Sequence, residues 1–205
     1  MAGLGRYTRF ITNIYAHTGA PYLSKKRSYA VKPWLKGDVL DIGCGGESSL
    51  ADLLDEGQRY VGIDIQEDAI QRLRETKPEH EFYCFDIEEE GKLFEIMRSR
   101  FDTIVLLAVI EHLKNPAALL RQCRSLLKPN GCIVISTPTP RGDKLMRAFK
   151  RAFGIKHEEL EEYSPHITNF DEQTLGSLLT SDNHLRVACY KKFEFGLNQL
   201  IVGSK

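Results

Sequence analysis

Val39-Leu40-Asp41-Ile42-Gly43-Cys44-Gly45-Gly46-Glu47-Ser48-Ser49-Leu50 reads as a short buried strand, a glycine turn and the opening of a helix. Val39, Leu40 and Ile42 supply the apolar run. Gly43, Gly45 and Gly46 remove side chains where the backbone bends. Ser48 and Ser49 are candidate caps for a helix carrying Leu50, Leu53 and Leu54. A strand–glycine–helix turn brings backbone N–H groups and a positive helix end to a ligand. What that ligand is depends on the residues around it.

Downstream of this segment, strands and helices alternate. Tyr60–Ile65, Glu81–Phe85, Asp102–Ala108 and Cys132–Thr137 read as strands. Ala69, Ile70 and Leu73 mark one helix between them, and Leu93, Phe94, Ile96 and Met97 mark the next. The third runs through Leu119, Leu120, Cys123, Leu126 and Leu127. It opens on Asn115-Pro116, a cap with proline at the first helical position, and Pro129-Asn130-Gly131 ends it. The expected fold class is therefore α/β, a Rossmann-like, doubly wound, seven-stranded sheet with helices on both faces. Five strands are parallel. Leu185–Phe193 and Leu197–Val202 complete the sheet as a pair joined too tightly to be anything but antiparallel. Parallel crossovers place ligands beyond the carboxyl ends of the strands. Asp41–Gly45, Asp64, Asp86 and Ala108–His112 all lie at such ends.

The 205 residues are 42% hydrophobic, enough for one domain with a core, and the formal net charge is zero. No global field favours nucleic acid, and no concentrated basic patch with aromatics or Asn/Asp-Pro-Pro-Tyr/Phe motif is present. The segment Met1–Tyr7 lacks the apolar core of a signal peptide. The five cysteines are odd in number and spread, with no C-x-x-C spacing, so neither a disulfide framework nor a metal site is expected. These features read as a reduced, cytoplasmic protein. We expect a single domain over 1–205. Helices in 1–36 cover the site: Tyr7, Phe10, Ile11, Ile14 and Tyr15 form one, and Ser24–Trp34 the other. The core is 37–137, a lid-like insert 138–170, and a C-terminal helix with two strands 171–205. In the insert, Asp143–Phe153 reads as a basic amphipathic helix after strand-breaking Pro138 and Pro140.

Gly43-x-Gly45 with Asp64 partly fits a dinucleotide fingerprint, but Ser48 stands where the third glycine belongs. A phosphate loop needs a cation where Glu47 stands. Four carboxylates around the crevice, Asp41, Glu47, Asp64 and Asp86, repel polyphosphates and suit a cationic, hydroxylated ligand. Asp64 can take two ribose hydroxyls, Asp86 an exocyclic amine, and Asp41 an ammonium; a sulfonium would complete S-adenosylmethionine. The alternative is that these acids only cap helices or solvate loops.

Val39-Leu40-Asp41-Ile42-Gly43-Cys44-Gly45, Gly62-Ile63-Asp64, Phe85-Asp86-Ile87, Ala108-Val109-Ile110-Glu111-His112-Leu113 and Leu127-Lys128-Pro129-Asn130-Gly131 resemble class I S-adenosylmethionine-dependent methyltransferases, in order, over about Asp38–Thr137. The small-molecule branch that includes the ubiquinone-biosynthesis type is the nearest in pattern. The resemblance implies that Asp41, Gly43, Cys44 and Gly45 line the methionine part and Asp64 holds the ribose. It implies that Ile65 and Ile87 sandwich the adenine, Asp86 caps its amine and Ala108 lies beside the sulfonium. It also implies transfer of a methyl group to a small-molecule acceptor, most readily at oxygen. Glu47 departs from the pattern, standing where the family usually has a further glycine. Where the acceptor must lose a proton, His112 and His166 are the candidate bases; the alternative is a packing or loop role for each. His17, His80, His157 and His184 read as surface residues. Two other functions fit the same residues. One is a non-catalytic S-adenosylmethionine-binding or partner-binding protein. The other is a methyltransferase with a lipid-linked substrate, reached by peripheral membrane contact through 143–153.

Overall fold

The computed structural model describes residues 20–89, 91–97, 100–152 and 166–205. The expected Tyr7–Tyr15 helix, His17, Phe153 and His157 lie outside the described residues. The elements are α1 (Ala20–Val31), β1 (Val39–Ile42), β2 (Tyr60–Asp64), α2 (Glu67–Thr76), β3 (Glu81–Cys84), α3 (Lys92–Ile96), β4 (Phe101–Leu107), α4 (Pro116–Leu126), β5 (Leu127–Pro138), α5 (Pro140–Ala152), α6 (Glu172–Thr180), β6 (Arg186–Phe193) and β7 (Asn198–Ser204). The seven strands form one sheet in the order β3-β2-β1-β4-β5-β7-β6. Pairings from β3 through β5 are parallel, while β7 runs antiparallel to both β5 and β6. The expected architecture is the observed one.

Burial on both faces explains the apolar strands. Leu40, Ile42, Ile63, Ile104, Leu106, Ile133 and Ile135 pack on one face against α4 and α6, through Leu120, Cys123, Leu175 and Leu179. Val39, Val105 and Val134 point the other way, towards Val31 of α1 and Ile70 and Leu73 of α2. Strand alternation then sends Asp41, two places after Val39, to the α1 face. The chain order reverses between β1 and β4, and a crevice opens there at the carboxyl ends of the strands.

Several boundaries differ from expectation. The segment after the glycine turn makes only a single 3-10 turn, Ala51–Leu53, and neither serine caps it. Ser48 is instead buried at φ 46°, its hydroxyl donating to Tyr60 at 2.7 Å. The buried tyrosine competes successfully for the capping group. Pro140 begins α5 rather than only ending β5, and Leu145, expected on the apolar face, is 55% exposed. His80 is not a surface residue: its ring lies 5.3 Å from that of Tyr60. α4 ends at Leu126, so Pro129-Asn130-Gly131, expected to stop it, falls inside β5, with Asn130 in the left-handed region at φ 64°.

Asp171 caps α6 as a capping box, accepting from the Thr174 N–H at 2.8 Å while the Thr174 hydroxyl takes the Asp171 N–H. Asp171→Ala is expected to cost about 1 kcal/mol, read as a lower urea midpoint at unchanged slope.

Candidate functional site

The glycine turn after β1 is shaped by its neighbours. The Gly43 and Cys44 amides donate to the Ile63 carbonyl at 2.8 and 3.0 Å, folding the turn over β2. Gly43 sits at φ 76°, and a Cβ there would lie 2.3 Å from a Val109 methyl, so only glycine fits beneath the loop leaving β4. Gly45, at φ 64°, has nothing within 4 Å of where a Cβ would be; its face is open. The Gly45 amide donates to Asp64 Oδ2 at 2.8 Å, and Gln66 N–H donates to Oδ1 at 3.0 Å. Both Asp64 oxygens are thereby fixed at the end of β2, with lone pairs left outward. Glu47, the departure from the family pattern, is exposed and does not line the cavity.

Asp41, Gly43, Cys44 and Gly45 line one cavity together with Arg27, Ser49, Leu50 and Leu107. Asp41 is 3% exposed. Its Oδ2 accepts from the Tyr60 hydroxyl at 2.7 Å, and its Oδ1 has no hydrogen-bond partner among the described residues. Burial lifts its pKa to about 7; Tyr60 opposes this and the charge of Asp64 adds to it. Burial also pushes the Cys44 thiol far up, so Cys44 is an inert wall. In the sequence, Arg27 belongs to the run Lys25-Lys26-Arg27, which reads as a solvated helix end. Its Nε is buried, again with no partner among the described residues. The signal that could have found it is the basic run Lys25-Lys26-Arg27 on a helix that must cover the Asp41 face. One oxygen of an acid and one nitrogen of a base, each buried without a hydrogen-bond partner among the described residues, thus line one small cavity, an arrangement that could hold the two ends of an amino acid.

The other expected cofactor residues follow along the strand ends. Ile65 is 65% exposed, an apolar surface beside Asp64. Asp86 is exposed and spends one oxygen on the Glu88 amide at 2.9 Å. Ile87 is half-buried against the core. Ala108 lies in the left-handed region at φ 55°, its amide tied to the Ser136 carbonyl at 2.8 Å, which turns the chain sharply off β4.

That sharp turn leads into a short 3-10 segment, Ile110–His112, and here the two candidate bases meet. The rings of His112 and His166 are 4.9 Å apart, edge to face. The link is backbone: the Ile167 and Thr168 amides donate to the Glu111 carbonyl at 2.8 and 3.2 Å. His166 Nδ1–H donates to Asp143 Oδ1 at 2.8 Å, and Asp143, only 5% exposed, is held in turn by Arg147 on the next turn of α5. Burial holds the His166 imidazole below its usual range; Glu111 and Asp143 pull it back up and His112 pushes it down. Asp143 was read only as the start of a helix; pairing with His166 depends on a fold-back that spacing does not reveal.

The reversal of strand order, the glycine turn at it and the acid ending β2 define a Rossmann-like methyltransferase fold. The chain belongs to the methyltransferase domain family, whose pattern it matches over residues 15–185. It is 32% identical over 105 residues to a ubiquinone biosynthesis O-methyltransferase of Neisseria meningitidis serogroup C (strain 053442), covering 48% of this chain and 43% of that protein. The chain thus spans less than half the length of that relative. A SAM-dependent methyltransferase from Archaeoglobus fulgidus superposes with a TM-score of 0.68 at 20% identity, over 96% of this chain and 99% of that one. Magnesium protoporphyrin IX methyltransferase from Synechocystis PCC 6803, solved with bound SAH, gives 0.63 at 19% identity over 89% and 83%. At these identities the two structures speak for the fold alone. Among the described residues no helix is long and apolar enough to cross a membrane.

Proposed function

We propose that the protein is an S-adenosylmethionine-dependent methyltransferase that delivers a methyl group to an oxygen of a small-molecule acceptor. The observation that carries this reading is one cavity lined by two buried polar atoms, Asp41 Oδ1 and Arg27 Nε, each without a hydrogen-bond partner among the described residues. Leaving either buried and unpaired is costly. A ligand with an ammonium and a carboxylate satisfies both at once. A polyphosphate would satisfy only Arg27 and would face Asp41 and Asp64.

The bound cofactor supplies a methyl group on a cationic sulfur, already activated for displacement. In this reading the chain's residues do the rest. Asp41 takes the ammonium and Arg27 the carboxylate. Asp64 takes the ribose hydroxyls from a carboxylate already fixed by Gly45 and Gln66. Exposed Ile65 and half-buried Ile87 flank the adenine, and Asp86 accepts from its amine. Ala108 leaves room beside the sulfur. Such fixing aligns nucleophile, methyl and sulfur, and alignment supplies much of the rate. The His112–His166 pair is the group to which an acceptor hydroxyl loses its proton. Asp143 keeps His166 in the tautomer whose Nε2 is unprotonated.

Calorimetry with S-adenosylmethionine and S-adenosylhomocysteine tests the reading, followed by assay of S-adenosylhomocysteine release with a panel of hydroxylated metabolites. No binding of either ligand at millimolar concentration would overturn it. Arg27→Ala gives a sharper result. It is expected to weaken S-adenosylmethionine by about 10–100-fold, the worth of a hydrogen-bonded charge contact. It should leave methylthioadenosine, which lacks the amino-acid end, unchanged. Equal loss for both ligands would remove Arg27 from the carboxylate.

A further inference from the structure

We propose that Glu111, His112 and His166 form a binding site for one divalent transition-metal ion of the zinc class. Their ligand atoms lie within 4.8 Å of one another. Cysteine spacing suggested no metal site. These ligands come instead from the 3-10 turn after β4 and from a segment far downstream, so no sequence motif joins them.

Two independent features point to an ion. Glu111 is 2% exposed and neither carboxylate oxygen has a hydrogen-bond partner within bonding distance among the described residues, although the Arg27 charge and the Thr137 hydroxyl lie near enough to act on it. A carboxylate so placed needs a cation or a proton to offset its desolvation. Its own backbone carbonyl anchors the strand of chain that brings His166 in, so the position is built rather than incidental. The second feature is Asp143, whose carboxylate accepts from His166 Nδ1–H at 2.8 Å. This leaves Nε2 as the ring nitrogen available to an ion. A carboxylate behind an imidazole is the usual outer support of a histidine metal ligand, fixing tautomer and ring orientation.

The donor set selects the ion. Two imidazoles and one carboxylate suit zinc, cobalt or ferrous iron, whereas magnesium and calcium prefer oxygen alone. Three protein ligands leave at least one coordination position for an exogenous oxygen. Ala108, proposed to lie beside the sulfonium, is three residues before Glu111 on the same turn, so that position opens near the reaction centre. With the ion bound, His112 and His166 serve as its ligands instead of as the base, and an acceptor hydroxyl held there would become more acidic and release its proton to solvent. This role for the ion rests on the methyl-transfer reading; the binding site does not.

The test uses tag-free protein stripped with a chelator, titrated with zinc chloride by calorimetry and with cobalt chloride by visible absorbance. One zinc per chain is expected, with cobalt bands in the region of imidazole–carboxylate coordination and no response to magnesium chloride. His112→Gln and His166→Gln should each weaken zinc by about 30-fold or more, and Asp143→Asn by about 10–100-fold. These side chains are only partly buried or conservatively replaced, and circular dichroism verifies that each variant is folded. Absence of stoichiometric zinc binding at about 100 μM, or an affinity unchanged in all three folded variants, overturns the site. S-adenosylmethionine titrated into the same samples separates the two ideas. Cofactor binding without zinc binding refutes this site alone. Zinc binding without cofactor binding upholds the site and refutes the methyl-transfer reading.

Discussion

Asp64→Ala is expected to weaken S-adenosylmethionine by about 100-fold or more. Asp64 stands at the end of β2 with each oxygen already fixed by a backbone amide, Gly45 at 2.8 Å and Gln66 at 3.0 Å. Two hydroxyls placed on its remaining lone pairs each form a charge-assisted hydrogen bond, worth about 1.5–3 kcal/mol. The substitution also releases the Gly45 amide, so the glycine turn loses a support when the ribose does. Calorimetry measures the first effect, and amide exchange at Gly45 the second. Asp64→Asn keeps one acceptor for that amide and should recover the turn without recovering the affinity. A loss below about threefold in Asp64→Ala would remove this residue from the ribose.

Asp41→Asn should move stability and affinity in opposite directions. In the folded chain the Asp41 carboxyl is raised from 3.8 to about 7, chiefly by burial. Between these two values the unfolded chain has released the proton while the folded chain retains it. Folding stability therefore falls as pH rises through that window. The contribution is intact below about pH 4 and lost above about pH 7, with a total on the order of 4 kcal/mol. The groups facing Asp41 explain why the strain persists. Tyr60 donates one hydrogen bond, burial and the charge of Asp64 oppose ionisation, and Arg27 lines the same cavity with its Nε unbonded among the described residues. At pH 8 asparagine removes the buried charge and should raise the melting point of the ligand-free protein by about 5 °C or more. The same change removes the partner of the ammonium, so affinity drops. In the native protein, affinity should rise about tenfold per pH unit below pH 7 and level off above it. In the variant it should be flat. A native affinity independent of pH from 5 to 8 would contradict the ammonium contact.

The parallel sheet was legible because its signal is local. Val39–Ile42, Tyr60–Asp64 and Asp102–Leu107 are apolar enough for burial on both faces, and the helices between them carry a clear period. The acids at the strand ends were legible for the same reason, since topology alone sends strand ends to one edge. The serines after the glycine turn misled because their partner is tertiary. Ser48 serves Tyr60, on the neighbouring strand, and the helix it was expected to cap shrinks to one 3-10 turn. Lys25-Lys26-Arg27 reads as a solvated helix end because a basic run on a helix carries no mark of which residue turns inward. Asp143 and His166 stood in the segment with the weakest pattern, and only the fold-back of 166–170 onto Glu111 brings them together. The apolar face expected at Leu145 is not there, because the start of α5 buries Gly142 and Asp143 instead.

The backbone bonds from Ile167 and Thr168 to the Glu111 carbonyl have a consequence for timing. Residue 111 is a shared hinge pin: one side of it belongs to the turn that follows the cofactor strand, the other carries the chain that brings in the second histidine. Any opening that draws His166 away must break amide bonds to the residue whose carboxylate belongs to the same cluster. The Glu111, His112 and His166 cluster is thereby built to assemble and come apart as one unit.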